Sequence, residues 1–182
     1  MEWTIPGTVL TGPREDVERS IRQIEGMFLG GGMIRSQLAS VSGVEAHDIQ
    51  NWVKRGFLPS PVNKRYSIHQ FSRIVTINML RTAMPMERIC SLLTYINGKL
   101  DDESDDLIDD TVLYFMFLRL AARARHIGGD KAWDEALLDA TASYQEPVPG
   151  ARDRVIRVLR IMLNAWIASR FLSQVQEMVD QL

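Results

Sequence analysis

Gly43, Gly56, Pro59 and Pro61 constrain this chain more than any other residues. They cut residues 34–66 into two short helical segments and a basic loop. A left-handed backbone is cheap only where Cβ is missing. Proline excludes helix at its own position and disfavours it one residue earlier. The first segment, about Ile34 to Ser40, turns Ile34, Leu38 and Val41 inward, and Gly43 supplies the turn. The second, about Glu45 to Lys54, places Ala46, Ile49 and Val53 on one stripe at helical spacing. His47, Gln50, Asn51 and Lys54 then point out along the opposite face. Gly56 stops this helix, and Phe57 to Tyr66 reads as a wing, a minimal two-stranded ribbon carrying Asn63-Lys64-Arg65-Tyr66.

The rest reads as helix. Residues 13–28 repeat Val17, Ile21, Ile24 and Phe28 at amphipathic spacing before a Gly30-Gly31-Gly32 hinge. That triplet lacks the preceding strand and following Lys-Ser/Thr of a phosphate loop. Ser67 with Gln70 is a capping-box pair opening a third short helix with Phe71, Ile74, Val75 and Met79 inward. A fourth runs from Pro85 to about Gly98, with Ile89, Leu92, Leu93 and Ile96 inward. A fifth is expected over Asp106–His126, apolar nearly all round, and a sixth over Asp130–Tyr144. After the Glu-Pro-Val-Pro-Gly break, Ala151–Gln181 forms one helix of some 30 residues, about 45 Å long. No strand-like alternation stands outside the wing, so the fold class is all-α. The expected units are 1–32, an N-terminal helix and hinge; 33–98, a DNA-binding domain; and 99–182, a helical dimerisation or effector bundle.

The 182 residues carry a net charge of −2, which by itself argues against nucleic acid. The distribution reverses that. Residues 34–88 hold eight Lys and Arg against three Glu and Asp, a balance of +5; residues 89–110 hold one against seven, a balance of −6. A basic module followed by an acidic connector is more telling than the total. The connector lacks the central Gly and terminal Glu of a calcium loop, and its carboxylates suit a helix start. A single cysteine excludes an intramolecular disulfide and fits a reducing cytoplasm. No apolar run is long enough for a membrane span, and residues 1–12 lack the pattern of a secretory signal.

Cys90 lies between apolar neighbours and reads as a buried structural thiol. His47, His69 and His126 have no ligand spacing, so neither a metal nor a cofactor is expected. No nucleophile and base share a supporting motif, so no catalytic residue is named. Nucleic-acid chemistry fits better. Amides such as Gln50 and Asn51 can pair with adenine edges in the major groove, with His47 one turn before them. Lys54, Arg55, Lys64 and Arg65 can neutralise phosphates, which positions a protein without specifying sequence. Tyr66 pins the wing tip. The exposed Arg residues of the fifth and last helices read as solvent-facing.

These residues resemble the winged helix-turn-helix of the MerR superfamily. They are closer still to a bacterial MerR-like family of uncharacterised proteins with the same Val53-Lys54…Gly56…Pro59…Pro61, basic, Tyr66-Ser67 string. The likeness covers roughly Met33 to Leu93. By this resemblance Gln50 stands where the superfamily has Arg, and Asn51 and Trp52 where it has a Tyr pair. Lys64 stands for the wing Arg. Trp52 keeps the aromatic that docks the wing, whereas Gln50 and Asn51 change the individual DNA contacts. The resemblance implies a cytoplasmic transcriptional regulator that binds double-stranded DNA as a homodimer through His47, Gln50, Asn51, Lys54, Arg55, Lys64, Arg65 and Tyr66. The C-terminal bundle would dimerise or sense an unknown effector. The alternatives are a protein-interaction adaptor that keeps the winged helix as a scaffold, and an excisionase-like DNA-architectural protein.

Overall fold

The computed structural model describes residues 2–98, 100, 105–124 and 129–182, with the backbone alone at 129 and 130. The chain opens on a hairpin: β1 (Glu2–Thr4) pairs antiparallel with β2 (Thr11–Pro13), Trp3 opposite Gly12. This corrects the expectation of no strand outside the 57–66 loop. Strands of three residues are too short for a period of two to show. The signal present was Pro6-Gly7, a turn dipeptide. Gly7 has φ +79°, and a Cβ there would run into the backbone carbonyl of Val75. The hairpin can lie this close to the core only because position 7 has no side chain.

A 3-10 turn at Arg14–Asp16 leads into α1 (Val17–Met27), where the Asp16 carboxylate accepts from the Arg19 N–H at 3.0 Å. Ile21 and Ile24 are buried, as their spacing predicts. β3 (Met33–Ile34) and α2 (Arg35–Ser42) follow. Leu38 is fully buried, but Ile34 is 43% exposed, against expectation. It sits in strand β3 opposite Arg65, ahead of the helix, so the helical stripe does not set its direction. Gly43, at φ +70°, ends α2 and returns its N–H to the Ala39 carbonyl at 2.9 Å. Then come α3 (Ala46–Lys54) and β4 (Arg65–Tyr66).

The helices behind these are α4 (Ile68–Leu80), α5 (Met86–Asn97), α6 (Asp110–Arg123), α7 (Gly129–Ala140) and α8 (Ala151–Val179). α4 begins on the expected capping box: Ser67 N–H donates to Gln70 Oε1 at 2.9 Å, and Gln70 N–H to Ser67 Oγ at 3.3 Å. α6 starts four residues later than expected. Asp109 is its cap, accepting from the N–H groups of Thr111 and Val112 at 2.8 and 3.0 Å. In a run of carboxylates, composition alone does not say which one caps. Asp101–Ser104, Arg125 and His126, on which earlier expectations fell, lie outside the described residues.

The fold is all-α apart from the two small sheets. α4 and α6 lie side by side at the centre, with Phe71, Ile74, Tyr114 and Phe117 at 0% exposure. Tyr114 donates its hydroxyl to the Pro6 carbonyl at 2.8 Å, so the hairpin is tied to α6. Edge-on ring pairs continue the core from Phe71–Tyr114 through Phe117–Trp166 to Trp3–Trp166. One cluster of buried side chains thus runs from the first strand to the last helix.

α8 changes its apolar side along its length. Val155, Val158, Leu159, Met162 and Trp166 are buried against the bundle. Phe171 is 64% exposed, Val175 58% and Met178 62%. Five residues at 3.6 per turn rotate Phe171 about 140° from Trp166, so this second stripe faces away from the chain's own core. Among the described residues no helix is long and apolar enough to cross a membrane.

Candidate nucleic-acid interface

α3 owes its geometry to its two ends. Glu45 precedes it in an extended conformation, and Gly56 ends it with φ +72°. The Phe57 N–H reaches the Trp52 carbonyl at 2.8 Å, and the Gly56 N–H that of Val53 at 3.1 Å. This is a Schellman ending, in which both orphan carbonyls are satisfied by a residue that must adopt positive φ. Ile49 and Trp52 face inward, while Ala46 and Val53 are half-buried. His47, Gln50, Asn51 and Lys54 are all exposed on the other side, as their spacing predicts. Among the described residues, no other part of the chain covers that face.

Two charged residues frame it. Asp48 lies 3.2 Å from His47 Nε2 and 3.5 Å from Arg81 Nη1. Arg81 also lies 5.8 Å over the Trp52 ring, so one guanidinium from the end of α4 bridges α3's carboxylate and its buried aromatic. Arg55 lies 4.7 Å over Phe57 and 3.9 Å from Glu87.

The loop after α3 is held from below by α4. Gln70 Nε2 donates to the carbonyls of Pro59 and Ser60, each at 3.0 Å, and Arg73 Nε donates to that of Phe57 at 3.1 Å. Leu58 is buried between these anchors. Arg73 also reaches Asp110 Oδ2 at 3.2 Å, and Asn97 reaches the other oxygen of Asp110 at 3.2 Å. Burial raises the Asp110 carboxyl above the usual carboxylate range, with Arg73 pulling partly the other way. His69 contacts the Asp109 carboxylate that caps α6. The base of the loop and the N-terminus of α6 are therefore linked through α4.

Val62 to Arg65 makes a tight turn. The Arg65 N–H donates to the Val62 carbonyl at 2.9 Å, with Asn63 at φ 50° and Lys64 at φ 62°. Two successive positive φ values define a type I′ turn, whose twist matches antiparallel strands. Asn tolerates this conformation; Lys does so at a cost. The ribbon expected within 57–66 is reduced to one bridge, Val62 to Arg65. The regular pairing is instead with β3, Met33 opposite Tyr66. Lys64 and Arg65 are exposed, and Arg65 Nη1 donates to the Gly32 carbonyl at 2.8 Å.

Tyr66 requires a correction. It is 4% exposed, and burial raises its phenol above its ordinary value. Alternation along β4 turns Arg65 outward and Tyr66 into the core, so Tyr66 supports the turn and offers almost no surface to a ligand. Sequence reasoning missed three residues of this region. The capping box accounts for Gln70 in part, and Arg73 and Arg81 enter the sequence only through the charge balance of residues 34–88. Their spacing of three and eight along α4 put them on faces turned toward the loop and α3.

Cys90 is half-buried, and burial raises its thiol above the ordinary value. Among the described residues no cluster of His, Cys, Asp and Glu could hold a metal ion.

A family model described as "Domain of unknown function (DUF1836)" matches residues 34–117, from the start of α2 into α6. No curated protein and no solved structure matches the chain.

Proposed function

We propose that this protein is a sequence-specific, duplex DNA-binding transcriptional regulator that acts as a homodimer. α2, the Gly43 turn and α3 serve as a helix-turn-helix, and the 57–66 loop serves as its wing. The carrying observation is the uncovered polar face of α3, where His47, Gln50, Asn51 and Lys54 are all exposed beside the loop that bears Lys64 and Arg65. An α-helix fits the major groove, and Gln and Asn side chains can take adenine edges there. The cations of the loop contribute affinity through counterion release. Tyr66 is removed from the contact set and left as a support. The reading also draws on the sequence's likeness to the MerR superfamily, and with it goes a proposed cytoplasmic location. Dimerisation draws on the second apolar stripe of α8, which the described residues leave exposed.

The test combines genomic fragment capture with binding to the recovered sites. Gln50→Ala or Asn51→Ala should cost the specific site about 1–3 kcal/mol and spare random duplex. Lys64→Ala with Arg65→Ala should weaken both and flatten the log–log salt slope by about one to two units. A protein that captures no duplex at low salt, while folded, removes this reading and leaves the adaptor.

A further inference from the structure

α4 supports each part of the proposed reading unit with a polar side chain of its own. Gln70 and Arg73 hold the wing through the carbonyls of Phe57, Pro59 and Ser60. Asn78 Nδ2 donates to the Ser42 carbonyl at 2.9 Å, which fixes the close of α2 beside the Gly43 turn. Arg81, where α4 ends, holds α3. From position 70 to position 81 the helix rises about 16 Å. Most of α4 is buried, so these anchors keep a fixed separation.

Arg81 differs from the others in what it grips. Asp48 and Trp52 are one turn apart on α3, and the Arg81 guanidinium lies 3.5 Å from the carboxylate and 5.8 Å over the ring. Ile49 and Trp52 are buried and set how deeply α3 sits. They do not stop a nine-residue helix, with positive-φ glycines at 43 and 56, from rolling about that contact. A guanidinium pressed against the flank at Asp48 does. Arg55, seven residues after Asp48 on the same flank, meets Glu87 only at 3.9 Å, a looser tie. Roll matters because an amide paired with a base edge tolerates little misalignment.

We propose that Arg81 is a positioning residue for base readout: it sets the roll of α3, and with it the aim of Gln50 and Asn51, without touching DNA. The effect on duplex rests on the function proposed above; the grip on α3 does not. The Arg81 and Asp48 side chains are 40% and 33% exposed, and a pair placed so near solvent adds little to folding stability. Its loss should therefore leave the fold standing and show in the aim of α3.

The test variant is Arg81→Met with Asp48→Asn, which removes one charge of each sign and keeps the net charge. In the full chain, urea denaturation should give a midpoint close to the parent's. Amide hydrogen exchange at residues 46–54 should quicken several-fold relative to α4. Arg81→Met alone should show the same quickening with Asp48 left in place. On a recovered genomic site the double variant should lose affinity about tenfold, while random duplex and the salt slope stay as in the parent. Exchange at 46–54 that matches the parent's overturns the grip. A slope lower by about one shows that Arg81 meets a phosphate itself and overturns a purely positioning role. An unchanged ratio of specific to random affinity overturns the control of aim. If the parent captures no duplex, the DNA reading falls, and hydrogen exchange alone decides whether Arg81 braces α3.

Discussion

Arg73 shows how much one side chain carries in this fold. It is 8% exposed, and its guanidinium satisfies the Phe57 carbonyl on one side and Asp110 on the other. Arg73→Leu would leave Asp110 buried without its cation and the loop carbonyl without its donor. The expected loss is about 3–5 kcal/mol, read from urea denaturation. Asp110 itself gives a pH signature. Burial raises its folded-state carboxyl above the unfolded value, so the stability tied to its protonated form is fully present below about pH 4. That stability is lost as pH rises through the folded value. Asp110→Asn should therefore flatten the decline in urea midpoint from about pH 4 upward. A variant that tracks the parent's midpoint across that range would show that Asp110 is not the group responsible.

At the level of elements, what could be read in advance depended on length. α1 to α8 all stood in the sequence, the longer ones because each repeats its apolar positions over two turns or more. Gly43 and Gly56 stood there because each ends a helix at positive φ. β1, β2 and β3 are two or three residues long and carry no period. The partner of β4 lies in β3, more than 30 residues earlier, and only tertiary packing decides that choice. The polar face of α3 was predictable from spacing, whereas the inward direction of Tyr66 depended on a strand pairing that spacing does not encode. The type I′ turn offers a test at this scale. Lys64 at φ 62° is strained, so Lys64→Gly should stabilise the fold by about 0.4–1 kcal/mol while lowering the duplex salt slope by about one. Thermal melting and salt titration read the two effects separately. A loss of stability would show that the lysine stem packs in a way the turn geometry does not capture.

Among the described residues, a buried cluster spans the molecule and an apolar stripe at the end of α8 stays exposed. Phe171, Val175 and Met178 repeat at spacings of four and three on a helix end turned away from the bundle. Such a stripe would pair with its copy on a second chain if the dimer proposed above forms along it. Val175→Glu with Met178→Glu should convert a dimer into a folded monomer in sedimentation equilibrium, and weaken a two-half-site operator far more than a single half-site. An unchanged dimer would place the contact elsewhere on the surface.

The edge-on contact of Trp3 with Trp166, at 6.3 Å between centroids, joins chain segments roughly 160 residues apart. At ribosomal rates of about 5–20 residues per second, the opening strand waits on the order of 10 s for its last partner to be made. The Pro6–Gly7 bend can settle earlier on Val75 and Tyr114, but the Trp3 indole lacks this ring partner until α8 is made. Packing of the hairpin against the last helix therefore follows its packing against the middle ones.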